Sequence, residues 1–361
     1  MSTKLQAQST KLQTQSTKLQ TQELLTTPST IFSRLIADLQ HARHSIDAEF
    51  YIIANDRTSK LFTELLRRKA RQGISVRLTV DGYGSRSMSR RSLRALQRDG
   101  VVFHRTSPIG NLRNHRKMTI IDRRIAHIGG VNIADRYVVG NKLGTWHDAQ
   151  LRFTGPAVES LGRLFDHDAL YTQHEQPSNP PTAISDNELT LCWSEGEGGT
   201  AIERLFREVV ESARSELIFT TPYFMPPAKA LELLATAVER SVKVMVILPE
   251  RSDVWVIDDV MRSYIARAMN LGIDIRICRH AFIHAKLAII DRQRVVVGSA
   301  NLDSRSMSIN RELMAVSLNR EVALKANLFV DRMAMLSTPP SERELRSRLP
   351  RFVVRLLEPI L

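Results

Sequence analysis

The chain has 361 residues, 43% of them hydrophobic and 25% charged, so it can bury a sizeable core and does not have the composition of an intrinsically disordered protein. Its 51 Lys and Arg against 38 Asp and Glu give a formal charge of +13, which calls for a polyanionic partner, either nucleic acid or the anionic face of a membrane. No run approaches the ~18 apolar residues of a membrane span, the first 22 residues lack the apolar core of a signal peptide, and Cys192 and Cys278 form neither a metal-ligand spacing nor a disulfide framework.

Residues 2–22 are three copies of a seven-residue unit, STKLQAQ, STKLQTQ and STKLQTQ. One apolar residue per heptad, Leu5, Leu12 and Leu19, is too thin a stripe for a helical zipper, so 1–22 reads as a disordered or weakly helical leader. From Ser29 the pattern changes to Ile31, Leu35, Ile36 and Leu39 at helical spacing. A strand at 46–53, a helix at 59–71, a strand at 75–80, a helix at 89–98 and a strand at 101–104 follow, with Gly73 and Gly100 as breaks. Two short apolar runs at 117–121 and 124–128 then meet at Asp122-Arg123, as in a hairpin. A helix at 157–171 closes this half, and QPSNPPTAISDN within 173–188 has linker composition.

The second half repeats the order. Strands are expected at 189–193, 216–221, 242–248 and 273–278, helices at 201–213, 228–240 and 254–270, and a second hairpin-like pair at 287–290 and 295–297. The fold class is therefore α/β, with two similar lobes at 23–172 and 189–342, each a mixed, mainly parallel sheet flanked by helices. Residues 343–361 mix five arginines with Leu349, Phe352, Val353, Leu356 and Leu357, a basic amphipathic tail suited either to a membrane interface or to docking on the core.

The strongest signal is a repeat across the halves. His115, Lys117, Asp122, Gly129 and Asn132 return as His284, Lys286, Asp291, Gly298 and Asn301, each 169 positions later. His115 and Lys117 are two apart and share one face of a strand, which puts a nucleophile beside a cation, as a phosphate site requires. Lobes that share both element order and motif placement are expected to meet with the two motifs at their junction.

The doubled H-x-K-x4-D pattern resembles the phospholipase D superfamily, whose members join two such half-sites into one active site. The flanking strings GGVNIADRY, TPYFMPP, GSANLDSRSMSINRE and RLLEPIL are similar to those of bacterial cardiolipin synthases. The resemblance implies a phosphatidyl transferase that joins two phosphatidylglycerols with release of glycerol through a phosphohistidine, with no metal and no other cofactor. A hydrolytic phospholipase D or a nuclease with the same two histidines is the alternative. It further implies His115 as nucleophile, His284 as general acid and base, and Lys117, Lys286, Asn132 and Asn301 as holders of the phosphoryl oxygens. Asp148, in TWHD, and Glu312, in NRE, match the acidic partners of the histidines. Asp122 and Asp291 complete the catalytic motifs and are read as supporting local structure. An anionic phospholipid substrate places the protein in the cytoplasm, at the surface of the inner membrane, with nucleic acid as the lesser alternative partner.

Overall fold

The computed structural model describes residues 20–106, 110–171, 183–186, 188–196 and 201–346. Most of the heptad leader and of the C-terminal tail lies outside them. The first lobe begins with β1 (Gln22–Leu25), so Gln22 belongs to the sheet and not to the leader. Helix α1 (Pro28–Gln40) follows, with Pro28 in its first turn and Thr27 accepting from the Thr30 N–H as N-cap. Then come β2 (Ser45–Phe50), α2 (Arg57–Arg71), β3 (Ser75–Val80), α3 (Arg90–Arg98) and β4 (Val102–Arg105). The motif hairpin is β5 (Met118–Ile121) and β6 (Ile125–Gly129), and α4 (Arg136–Val139), β7 (Thr145–His147), β8 (Gln150–Thr154) and α5 (Pro156–Tyr171) complete the lobe.

The second lobe contains β9 (Ala183–Asp186), β10 (Leu189–Trp193), α6 (Ala201–Ser212), β11 (Glu216–Thr220), β12 (Phe224–Met225), α7 (Ala228–Glu239) and β13 (Lys243–Pro249). Helix α8 (Trp255–Asn270), β14 (Asp274–Cys278) and β15 (Ala281–Ile283) lead into the second motif hairpin, β16 (Lys286–Ile290) and β17 (Arg294–Gly298). It ends with β18 (Leu302–Asp303), α9 (Ser304–Ser308), β19 (Leu313–Ser317), α10 (Arg320–Met335), β20 (Ser337–Thr338) and α11 (Glu342–Leu345).

The seven-stranded sheet runs β1-β8-β6-β5-β2-β3-β4 and the nine-stranded sheet β20-β14-β13-β11-β16-β17-β19-β10-β9. Strands β8-β6-β5-β2-β3-β4 and β19-β17-β16-β11-β13-β14 occupy the same places in the two orders, as duplication requires. The sheets are mixed, but they are not mainly parallel. Parallel pairing is confined to β2-β3-β4 and to β11-β13-β14, where helices cross over, and all other neighbours in the two sheets are antiparallel. The expectation erred because β8 and β19, which follow the irregular segments beyond each motif, were not read as strands. Strand β9 also lies inside the stretch read as a linker and extends the second sheet as its edge.

The lobes share a core. Met118, Ile120, Ile128, Leu151 and Phe153 from the first sheet and Leu191, Trp193, Ile218, Leu287, Val297 and Leu313 from the second belong to one buried apolar cluster. At roughly 25 cal/mol per Å² of apolar surface removed from water, such a shared layer is a strong force holding the halves together. Separate clusters lie on the outer faces, one under α1 and α2 and one under α6, α7 and α8.

Each motif hairpin turns at a left-handed pair, Asp122 and Arg123 at φ 52° and 52°, and Asp291 and Arg292 at φ 51° and 60°. That is a type I′ turn, whose twist matches that of the strands it joins. The aspartates also anchor the neighbouring strand. Asp122 accepts from the N–H groups of Arg43, His44 and Ser45, and Asp291 does the same for Arg214, Ser215 and Glu216.

Candidate active site

The two motifs meet across the seam, and backbone register brings them there. Strand β15 pairs in parallel with β7, aligning Ile283 with His147, and the His284 N–H donates to the His147 carbonyl at 2.8 Å. On the other side, Asn114 bridges to Arg311, and the His115 N–H donates to the Arg311 carbonyl at 3.0 Å. Each histidine thus lies against the residue that immediately precedes a carboxylate of the opposite lobe.

The carboxylates are consequently exchanged between lobes. His115 Nδ1 lies 2.9 and 3.0 Å from the two oxygens of Glu312, and His284 Nδ1 lies 2.6 Å from Asp148 Oδ2. Proximity in sequence did not reveal this crossing, which follows from the inter-lobe bridges. With Nδ1–H given to a carboxylate, the Nε2 of each imidazole carries the lone pair.

The lysines lie beside the histidines. Lys286 Nζ is 3.1 Å from His284 Nε2 and donates to the His284 carbonyl at 2.6 Å, and Lys117 donates to the His115 carbonyl while facing the Tyr51 ring at 5.4 Å. All four side chains are sequestered, the His115 side chain being 13% exposed and the His284 side chain 9%. Burial therefore dominates their protonation. It pushes His115 below its ordinary value against the pull of Glu312. Burial, then Lys286, drives His284 down to about 4 while Asp148 opposes them. Lys286 falls to about 8, again through burial, with Asp148 and Glu312 opposing, and burial takes Lys117 well below its usual value. Burial works to raise Glu312, but His115 and Lys117 outweigh it and hold the carboxylate at about 2, and Asp148 is lowered in the same way by His284. Burial in the free site thus favours neutral imidazoles beside ionised carboxylates, and it makes both lysines easier to deprotonate than free lysine, so an entering anion strengthens their hold on the proton.

The asparagines differ. Asn132 Oδ1 accepts from the Ile52 N–H and its Nδ2 donates to the Tyr137 hydroxyl, so this side chain is occupied by the protein, whereas Asn301 Oδ1 is buried without a hydrogen-bond partner. Asp122 and Asp291 are not at the centre. Five residues of strand separate each from its lysine, about 16 Å at the usual rise, and their oxygens are taken by backbone N–H groups.

Several residues at the site carry no repeat signal. Tyr51 packs on His115 at 4.9 Å, and Tyr137 and Trp146 pack on His284 at 5.1 and 5.3 Å. Ser299 donates to Glu312, whereas its counterpart Gly130 leaves room for Asp148, since a Cβ there would lie 2.3 Å from Asp148 Oδ1. Only the Gly-Gly against Gly-Ser difference in GGVN and GSAN marked this asymmetry in sequence.

The chain is similar to known proteins over most of its length. The family described as cardiolipin synthase, PLD-like domain, matches residues 35–144 and 206–333. A cardiolipin synthase of Geobacillus kaustophilus is 30% identical, covering 94% of this chain and 72% of that protein. Cardiolipin synthase A of Pseudomonas aeruginosa is also 30% identical, over 94% of this chain and 73% of its own. Among solved structures, phosphatidylserine synthase of Haemophilus influenzae superposes with a TM-score of 0.74 at 15% identity, covering 94% of this chain and 92% of that one. The likeness of that structure concerns the fold, a two-lobed architecture.

Proposed function

The chain belongs to the cardiolipin synthase, phospholipase D-like family, and from that premise we propose that it joins two phosphatidylglycerols into cardiolipin with release of glycerol. The observation that carries the proposal is the crossed pair of histidine–carboxylate contacts, which makes one two-histidine site from two lobes. It is a phospholipase D-type phosphatidyltransferase.

His115 Nε2 attacks the phosphorus of the first phosphatidylglycerol, and the glycerol oxygen leaves with a proton from His284. The P–O bond to glycerol breaks as the P–N bond forms, giving a phosphatidyl-His115 phosphoramidate and free glycerol. A hydroxyl of the second phosphatidylglycerol then gives its proton to His284 and attacks phosphorus, which restores His115 and releases cardiolipin. His284 is neutral in the free site, the entering phosphodiester anion raises its proton affinity, and His284 takes up from solvent the proton that the leaving group needs. Lys117 and Lys286 hold the equatorial oxygens, and Asn301 Oδ1, buried without a partner, accepts from a substrate hydroxyl.

No helix among the described residues is long and apolar enough to cross a membrane. Together with a net charge of +13, this supports peripheral attachment to an anionic membrane, the cytoplasmic face of the inner membrane. Incubation with phosphatidylglycerol vesicles and mass spectrometry of the products tests the reading. Cardiolipin with glycerol supports it, and phosphatidic acid alone makes the protein a hydrolase. A His115→Ala variant with an unchanged rate would overturn the covalent route.

A further inference from the structure

The surroundings of the two histidines are not equivalent. The guanidinium carbon of Arg136, on α4, lies 5.3 Å from the Tyr137 ring centroid and 5.4 Å from that of Trp146. Those are the rings that pack on His284. Arg136 Nε is buried without a hydrogen-bond partner, and the side chain's hydrogen bond is to the Tyr137 phenol, which Asn132 also engages. Next to it, the Tyr223 hydroxyl donates to Asp253 Oδ1 at 2.6 Å, and both groups lie within electrostatic reach of Arg136. Asp253 also acts on His284 and Lys286.

On the His115 side the arginines are committed to protein acceptors. Arg113 donates to the Gly110 and Leu112 carbonyls, and Arg305 to the Asn111 side chain and carbonyl. Arg136 alone of these three keeps a buried donor unused.

The glycerol that leaves in the first step departs beside His284, and the acceptor hydroxyl enters by the same route, since the same base must take its proton. The two differ at the far end. The departing headgroup ends in a hydroxyl, whereas an acceptor phosphatidylglycerol carries there a second phosphodiester. Its negative charge therefore falls one glycerol length beyond His284, outside the reach of the two lysines already assigned to the reacting phosphorus.

We propose that Arg136 and the Tyr223–Asp253 pair form an acceptor subsite, in which the guanidinium takes the phosphodiester of the second lipid and the pair takes the free glycerol hydroxyl. The subsite rests on the transferase reading above and explains how such an enzyme selects a lipid alcohol over water or glycerol. A guanidinium suits the task because two of its N–H groups meet two phosphate oxygens at once.

The test is a competition on mixed vesicles. Wild type and Arg136→Gln are given labelled phosphatidylglycerol and ethanol, an acceptor with no phosphate, and the ratio of cardiolipin to phosphatidylethanol is measured. Loss of a charge-assisted contact is expected to lower that ratio roughly ten- to hundred-fold, with Arg136→Lys intermediate. A wild-type ratio in Arg136→Gln, with cardiolipin formed by both, overturns the subsite alone. A wild type that makes phosphatidylethanol and no cardiolipin overturns the transferase reading and the subsite with it. Should Arg136→Gln make neither product, calorimetric binding of glycerol 3-phosphate decides, at least tenfold weaker binding than wild type supporting the subsite and equal binding overturning it.

Discussion

Replacing Glu312 by Gln tests the link between seam geometry and chemistry. Glu312 is wholly buried, accepts from His115 Nδ1 at 2.9 Å, and also receives the Ser299 hydroxyl. A carboxamide keeps the shape and an acceptor for Nδ1–H, but it removes the negative charge facing the ring as phosphorus bonds to Nε2 and the imidazole becomes cationic. Two unit charges about 4 Å apart at an effective dielectric near 20 interact by roughly 4 kcal/mol, or about three decades of rate. The affected step is formation of the phosphohistidine, read by rapid quench as the burst of labelled glycerol. The expected result is a burst rate lowered about 10³-fold with a melting temperature within a few degrees of wild type, because removing a buried charge also removes its desolvation cost. A burst slowed less than tenfold in a folded protein would refute the claim that this carboxylate stabilises the charged ring.

Lys286 has a depressed value of about 8, so it must be protonated to hold phosphate and loses that proton as the pH rises through this value. The wild-type KM is expected to climb above about pH 8, whereas Lys286→Arg, which keeps its charge, should show a shallower climb in a KM–pH profile, the remainder belonging to Lys117. Gly130→Ala places a methyl group 2.3 Å from Asp148 Oδ1 without requiring an unusual φ, so the carboxylate must move away from His284. We expect kcat to fall at least about tenfold for a stability loss of roughly 1 to 3 kcal/mol, measured by turnover and urea titration. Asp122→Ala and Asp291→Ala each leave three backbone N–H donors without their acceptor at a strand start, and should lower stability by roughly 1 to 3 kcal/mol while the folded fraction keeps the wild-type pH profile.

The half of the site that repeats was legible because a histidine and a lysine two apart on a strand, followed by a hairpin aspartate, leave a pattern at fixed offset. Asp148 and Glu312 were found as residues, but their exchange between lobes was not, since it depends on β7 meeting β15 and Asn114 meeting Arg311, contacts between segments far apart in the chain. The parallel crossovers β2-α2-β3 and β11-α7-β13 showed clearly in alternating apolar runs and helical periodicity. Strands β8 and β19 did not. Each is five residues long and follows an irregular segment, and β19, LMAVS, is buried on both faces and lacks the alternation that marks a half-exposed strand. Tyr51, Tyr137 and Trp146 escaped for a further reason. They pack around the histidines without a like residue in the other lobe, and duplication makes visible only what was kept twice. Arg136 is kept twice, as Arg305 169 positions later, but its place over the Trp146 ring is not.

The crossed carboxylates make the intact seam a condition of reactivity. A protein that cuts phosphodiesters of its own membrane is hazardous whenever it is misassembled, nicked or half made. Here neither lobe carries an oriented histidine by itself, because each borrows the group that orients it from across the junction. A separation of the lobes by a few ångströms breaks both histidine–carboxylate contacts together. Catalytic competence and the shared apolar core thus depend on the same closed seam.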